Sequence, residues 1–513
     1  MDQYSALSGG DKFVIWQITG AKWVAFVSVF FVGSIFITYG TCLHQGHCHG
    51  LPLWSGPWNS ISHSWEDFPG NYISRFVVGY ACDMICIFHA MLYVANTNAD
   101  RVANASKRCC RCYTNEVLLG LGVFACFCLT WVGAICDAAN DPQCEGNNTI
   151  HSTCAVLFFL LTDVVAGAMA CSPKTEHARQ PRARFLSLFI FAGLTATTLY
   201  RACRLVCDIR GDHPSYQHGD NATIIIEVVE VAFFVAFMNS VADSYFAGLS
   251  WAATACETSG GAGEVVHVLS ARKVAQLAAG LAAVTLAASY AVNLFNGNVP
   301  PPSEGGLPVL GGLWDHKPTN WIGRWGWVQC SSALTWVAVF SSVAEARGRW
   351  AAPDGALLAL QVTGALALAG VGMVNLSENA GAHAACTAAF FLCWDAAAAG
   401  LVVLRAARSP SAASSAAEAA CAVLALACAL TTVRFALPPA LVGLGRGGAV
   451  LEWLNLVLLA AFWVLNLAVR PASNSMALVI LVDAPAAGAE SETPIEDCKK
   501  HGVEVSAETT GLV

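Results

Sequence analysis

The sequence predicts an all-α polytopic membrane protein, with about twelve transmembrane helices arranged as two parallel six-helix repeats. Three observations lead there. Only 12% of its 513 residues are charged and 56% are hydrophobic, against about 25% charged in soluble domains. The apolar residues gather into continuous runs such as "AKWVAFVSVFFVGSIFITYGT" and "VAQLAAGLAAVTLAASYAVNLF", each reaching the roughly 20 residues that cross a bilayer as a helix. And one unusual string is written twice. Lipid offers backbone amides no partners, so a helix or a closed barrel must span it, and runs without alternation favour helices.

The expected organisation follows from these runs. Residues 1–20 form a short cytosolic N-terminus, 21–250 a first six-helix unit, 251–272 a cytosolic linker, 273–470 a second unit, and 471–513 an acidic disordered tail. The tail ends in "ESETPIEDCKKHGVEVSAETTGLV" and holds much of the net charge of −8; such polar composition argues against a packed core. The first run is too long for a cleaved leader and reads as a signal anchor.

Basic residues set the expected orientation. Arg101, Lys107, Arg108 and Arg111 follow the second run, and Lys174, Arg179, Arg182 and Arg184 follow the fourth. The intervening stretches 45–70 and 137–150 contain neither Lys nor Arg. The positive-inside rule then places both termini in the cytosol. Sequons at Asn147, Asn221 and Asn375 fall on the opposite, luminal side and are glycosylation candidates.

The repeated string is "WEDFPGNYISRF" (Trp65–Phe76) and "WDHKPTNWIGRW" (Trp314–Trp325). The match continues. "HSTCAVLFFLLTD" (His151–Asp163) returns as "HAACTAAFFLCWD" (His383–Asp395), "TATTLYR" with Arg201 as "ALTTVR" with Arg434, and the helix of Glu227 as that of Glu452. Shared order over such a distance points to internal duplication.

Each repeated residue type suggests a role. Pro69 and Pro318 suit the turn before a helix because they donate no backbone hydrogen bond. Trp65 and Trp314 fit an aromatic belt at headgroup level. Asn71, Arg75, Asn320 and Arg324 follow within one helical turn, and two readings of the arginines stand: a fork of donors for a lipid headgroup, or a snorkelling helix anchor. His151 and His383 open the fourth helix of each unit. Asp163 and Asp395 lie about 18 Å deeper at ~1.5 Å per residue, so His and Asp of one helix cannot touch. Intramembrane acids need partners on other helices: Asp163 or Glu227 is expected to pair with Arg201, and Asp395 or Glu452 with Arg434.

No catalytic residues, metal ligands or cofactor emerge. "CLHQGHCHG" places His44, His47 and His49 around Cys42 and Cys48, but the spacing fits no common zinc pattern. In an oxidising lumen, Cys42–Cys48 and Cys136–Cys144 are disulfide candidates. "KRCCRC" (Lys107–Cys112) fits either juxtamembrane palmitoylation or a plain basic loop. Nothing suggests a nucleic-acid partner.

Taken together, the Trp–acid–Pro–Ile–Arg entry, the His-initiated fourth helix and the Arg and Glu of the fifth and sixth resemble a six-helix family. That family contains the damage-regulated autophagy modulators, the post-GPI-attachment lipid-remodelling factor and the N-terminal domain of the calcofluor-white-hypersensitive cell-wall protein. The resemblance implies a multi-pass protein of the Golgi, endoplasmic reticulum or lysosome, or of the plasma membrane. It implies membrane lipids as partners, with GPI-anchored proteins or a lipid-modifying enzyme beside them, and an assisting rather than catalytic role. It carries Arg75, Arg324, His151 and His383 as functional positions. The competing readings are a secondary transporter with two parallel halves and a non-catalytic membrane adaptor.

Overall fold

A computed structural model describes residues 12–46, 61–65, 69–103, 112–135, 147–210, 221–256, 264–298, 308, 310–346, 351–408, 416–436, 445–468 and 476–482. Ten described helices are long and apolar enough to cross a membrane. The first unit contains α1 (Gly20–His44), α2 (Gly70–Ala103), α3 (Cys112–Ala134), α4 (Asn148–Cys171), α5 (Pro181–Arg210) and α6 (Asn221–Tyr245). The second contains α7 (Ala271–Phe295), α8 (Thr319–Ala346), α9 (Ala352–Met373), α10 (Ala380–Arg408), α11 (Ala416–Ala436) and α12 (Gly445–Ala468). This is a helical polytopic membrane protein.

The helix ends are written in the sequence twice over. Thr19 accepts from Lys22 N at the start of α1, and Ser270 accepts from Lys273 N at the start of α7. Asn147 accepts from Ile150 N before α4, as Asn379 does from Ala382 N before α10, both at 3.0 Å. Each satisfies an orphan amide of the first turn. α1 and α7 each stop at a glycine with positive φ, Gly46 at 76° and Gly297 at 72°, the left-handed position that ends a helix without a Cβ clash.

Within each unit, consecutive helices pack against one another and the last returns to the first: α6 touches α1, and α12 touches α7. The two rings meet along α2 and α8, with α3 against α8 and α9 against α2 at the flanks. Gly79 makes the close approach possible, since a Cβ there would lie 2.4 Å from Val328 Cγ1. Tyr80 Oη and Ser331 Oγ bond at 2.7 Å across the seam. Trp131 of α3 stacks on Trp325 of α8, 6.0 Å between centroids and 9° between planes.

One end of the bundle carries a four-stranded sheet that the sequence reading missed. Its strands are β1 (Lys12–Thr19), β2 (Leu249–Cys256), β3 (Glu264–Ser270) and β4 (Met476–Val482), in spatial order β1-β2-β4-β3 with every pair antiparallel. β1 and β2 bracket the first unit in the chain, and β3 and β4 the second. Both outer pairs carry an irregularity at the same place, Val14/Trp16 and Val265/His267. The expected disordered tail therefore begins with a strand, and the expected linker contains most of β2 and all of β3. "MALVILV" is a seven-residue apolar run, too short to span a bilayer but the usual length of a strand buried on both sides.

Candidate functional site

At the end of the bundle opposite the sheet, the two repeated strings meet. Each begins at the last residue of a short 3-10 turn, His63–Trp65 and Leu310–Trp314, and continues through proline into a helix start. The Pro69 carbonyl accepts from Tyr72 N and Ile73 N at 3.1 Å, and that of Pro318 accepts from Trp321 N at 3.2 Å. Gly70 lies so close to the Ser64 carbonyl that a Cβ would sit 2.2 Å from it. The fold back from the turn thus aims Arg75 and Arg324 inward, toward the seam.

Both arginines grip one carboxylate. Arg75 Nη1 and Nη2 donate to Glu378 Oε2 and Oε1 at 3.0 and 3.1 Å, and Arg324 Nη2 donates to Oε1 at 2.5 Å. Each also crosses to the other unit's backbone. Arg75 donates to the Met373 carbonyl at the end of α9, and Arg324 to the Ala134 carbonyl at the end of α3. Asn375 N completes the cradle, 3.0 Å from Glu378 Oε2. Burial pushes the Glu378 carboxyl up, but the Arg75 and Arg324 charges outweigh it and hold it below the ordinary carboxylate value.

This geometry replaces both expected roles of the arginines. They are 2% and 1% exposed, so neither presents its fork to a headgroup or snorkels to the interface. Trp65 and Trp314, at 8% and 2%, are packed inside rather than standing in a belt. Trp65 Nε1 donates to Thr38 Oγ1 of α1 at 3.1 Å, and Trp314 meets Trp327 edge to face at 5.3 Å. Asn71 and Asn320 are also buried.

The histidines support the same turns. His151 Nδ1 lies 2.6 Å from the Ile135 carbonyl, and His383 Nδ1 lies 2.7 Å from that of Val374. In the first unit, Ser62 Oγ bridges His151 Nε2 and Glu227 Oε1, at 3.1 Å to each, while Ile61 N donates to Glu227 Oε2 at 3.1 Å. In the second, Leu310 N donates to Glu452 Oε2 at 3.2 Å. Gly311 stands where Ser62 would, and a Cβ on it would lie 2.5 Å from His383 Nε2.

The intramembrane acids find other partners than expected. Asp163 accepts from Thr195 Oγ1, 2.9 Å from both carboxylate oxygens. Arg201 pairs with Glu230 at 2.8 Å, not with Asp163 or Glu227. Asp395 is held by Thr432 and by Asn455 Nδ2, the latter at 3.0 Å. The Arg434 side chain lies outside the described residues. His151 and Asp163 make no contact, as their spacing requires. Asn375 is 1% exposed, which leaves its amide inaccessible to a glycan; Asn147 caps α4 with its side-chain oxygen, and the Asn221 side chain lies outside the described residues. Cys42 is disulfide-bonded, while Cys48, Cys136 and Cys144 lie outside the described residues.

Within the second unit there is an apolar cavity of about 80 Å³. Trp327, Trp394 and Trp463 form much of its inner wall, and alanines of α7 and residues of α12 form its outer one. Ala460 and Val464 are exposed, and Ala279 and Ala282 half-buried. The opening therefore lies sideways, between α7 and α12. Among the described residues, no group of three or more His, Cys, Asp or Glu side chains is placed to hold a metal ion.

Compared with protein families, curated proteins and solved structures, the chain matches none.

Proposed function

We propose that this chain handles bilayer lipids as a duplicated pair of six-helix units fixed to one another, of the kind it resembles in its repeated motifs. The observation that carries this reading is the position of its open space. The cavity is apolar and has exposed lining residues on α12 beside α7, whereas the seam between units is filled by α2 and α8. A transporter of two rocking halves needs its substrate path in that seam. Here the Arg75–Glu378–Arg324 clamp ties the units at one end, and the β2–β4 pairing ties them at the other.

The duplication belongs to the same proposal. Paired caps, paired histidine–carbonyl bonds and the matching sheet irregularities support it. So does the β2–β4 register, in which Leu249 faces Val482 and Ala255 faces Met476 about a centre at Ala252 and Val479. A Golgi, endoplasmic reticulum or lysosomal site, a GPI-anchor lipid-remodelling role and cytosolic termini remain part of this proposal through the resemblance.

The test is to delete the gene, profile phospholipids and GPI-anchor lipids, and rescue with a variant covalently crosslinked across the α2–α8 seam. Altered lipids restored by the crosslinked protein support a fixed lipid-handling device. Unaltered lipids with lost solute uptake, restored only by the uncrosslinked protein, would establish the transporter instead.

A further inference from the structure

The two units differ at one place where their helix caps put them in register. Thr19 and Gly46 bound α1 as Ser270 and Gly297 bound α7, so Val24, Val27 and Phe31 correspond to Ala275, Ala278 and Ala282. In the first unit, the Phe31 ring fills the space between α1 and α6. It meets Phe234 edge-on at 6.3 Å, and Phe234 meets Phe158 at 5.1 Å. In the second unit, the corresponding trio is Ala282, Leu459 and Phe390, all lining the cavity. Three bulky residues of α1 are thus alanines in α7, while Val78, Thr162 and Met238 correspond to Trp327, Trp394 and Trp463, whose rings take up part of the space and wall the cavity.

The alanines also lie on one stripe with a charge. Arg272, Ala275, Ala279 and Ala282 follow at three-, four- and three-residue steps, a single face of the helix. Arg272 is exposed, one turn toward the sheet from the cavity. The corresponding residue of α1 is Ala21. The first unit thus has Phe31 where the second has Ala282, and Ala21 where the second has Arg272. The trough runs about 10 Å along α7 at ~1.5 Å per residue.

We propose that this trough takes up a few methylenes of one acyl chain of a glycerophospholipid from the leaflet on the sheet side, with the lipid's phosphate against Arg272. This rests on the lipid-handling reading and gives it a site and a ligand class. The medium at the mouth is hydrocarbon, so an apolar chain enters without dehydrating a polar group. The lining is mostly aliphatic and aromatic carbon, to which Trp327, Trp394 and Trp463 add three buried indole N–H groups. A guanidinium one turn above supplies the donors a phosphate accepts.

The test uses the full chain in phosphatidylcholine nanodiscs containing a trace of phosphatidylserine with a photoactivatable diazirine on one acyl chain. Illumination is expected to label peptides of α7 and α12. Ala282→Phe, which restores the aromatic found in the first unit, is expected to lower that label at least tenfold with unfolding temperature undiminished. Arg272→Ala is expected to lower it severalfold. Phe31→Ala is expected to add label on α1 and α6, a gain that misfolding would not produce. Equal labelling of the native chain and Ala282→Phe, or no gain in Phe31→Ala, overturns the acyl-chain site; full labelling of Arg272→Ala overturns the phosphate contact. Cellular lipids that change on gene deletion while Ala282→Phe labels as the native chain does would spare the lipid-handling reading and remove only this site.

Discussion

Arg75 and Arg324 occupy the same place in the two repeated strings, and both close on the carboxylate of Glu378, which follows α9 in the second unit. The first unit therefore contributes a cation to a cradle built by the second. The clamp is symmetric in its arginines and in the backbone carbonyls they cross to reach, Met373 and Ala134. Among the described residues, its acid comes from the second unit.

Glu378→Gln is expected to destabilise the protein by about 3 kcal/mol, because it leaves buried guanidiniums facing a neutral amide. Thermal unfolding in detergent measures it. A shift within error of the native midpoint would mean the clamp holds little.

Acid should act on the same contact. The folded Glu378 carboxyl titrates below its unfolded value, so its contribution is fully present above the ordinary carboxylate pKa of about 4 and is lost as pH falls through the folded one. The difference in unfolding temperature between the native chain and Glu378→Gln should narrow on acidification below that range. A gap that stays constant would assign the stabilisation to other groups.

At the seam, Gly79→Ala is expected to destabilise by about 1–3 kcal/mol through overpacking against Val328, although alanine is the better helix former by about 1 kcal/mol. The companion Gly79→Ala/Val328→Ala should recover most of the loss. If the single variant were stabilised, α2 and α8 would not pack this closely.

Deeper in the second unit, Thr432→Val should cost about 0.6–1.7 kcal/mol, the range for interhelical hydrogen bonds in a bilayer, since it removes a donor to Asp395. Asp395→Asn keeps both an acceptor and the shape, and is expected to cost less. Equal losses in the two would point to the charge itself as the important feature.

Much of the fold was legible, because a bilayer imposes length and hydropathy on every helix that crosses it. The separation of His151 from Asp163 followed from local spacing alone. The clamp did not, since Glu378 lies 303 residues from Arg75 and 54 from Arg324, and the corresponding position in the first unit is Gly146 rather than an acid. Ser62 was missed for a similar reason, as its counterpart is Gly311. Asp163 or Glu227 was expected to pair with Arg201 because opposite charges attract most strongly, yet a hydroxyl is the group within reach of each, Thr195 for Asp163 and Ser62 for Glu227. The sheet was lost in runs too short for a helix to claim. The cavity depends on how alanines of α7 face rings on α8, α10 and α12, which no single stretch of sequence reports.

The order of the sheet has a consequence for biosynthesis. β2 is translated after α6 and pairs with β1 on one side, but its other edge waits for β4, which leaves the ribosome after the whole second unit. Until then the nascent chain presents an unsatisfied row of amides and carbonyls beside an inserted bundle. A stop codon or bulky fusion placed just before Met476 would leave that edge open permanently, and clients of quality control would be expected to accumulate as long as the last seven-residue strand is missing.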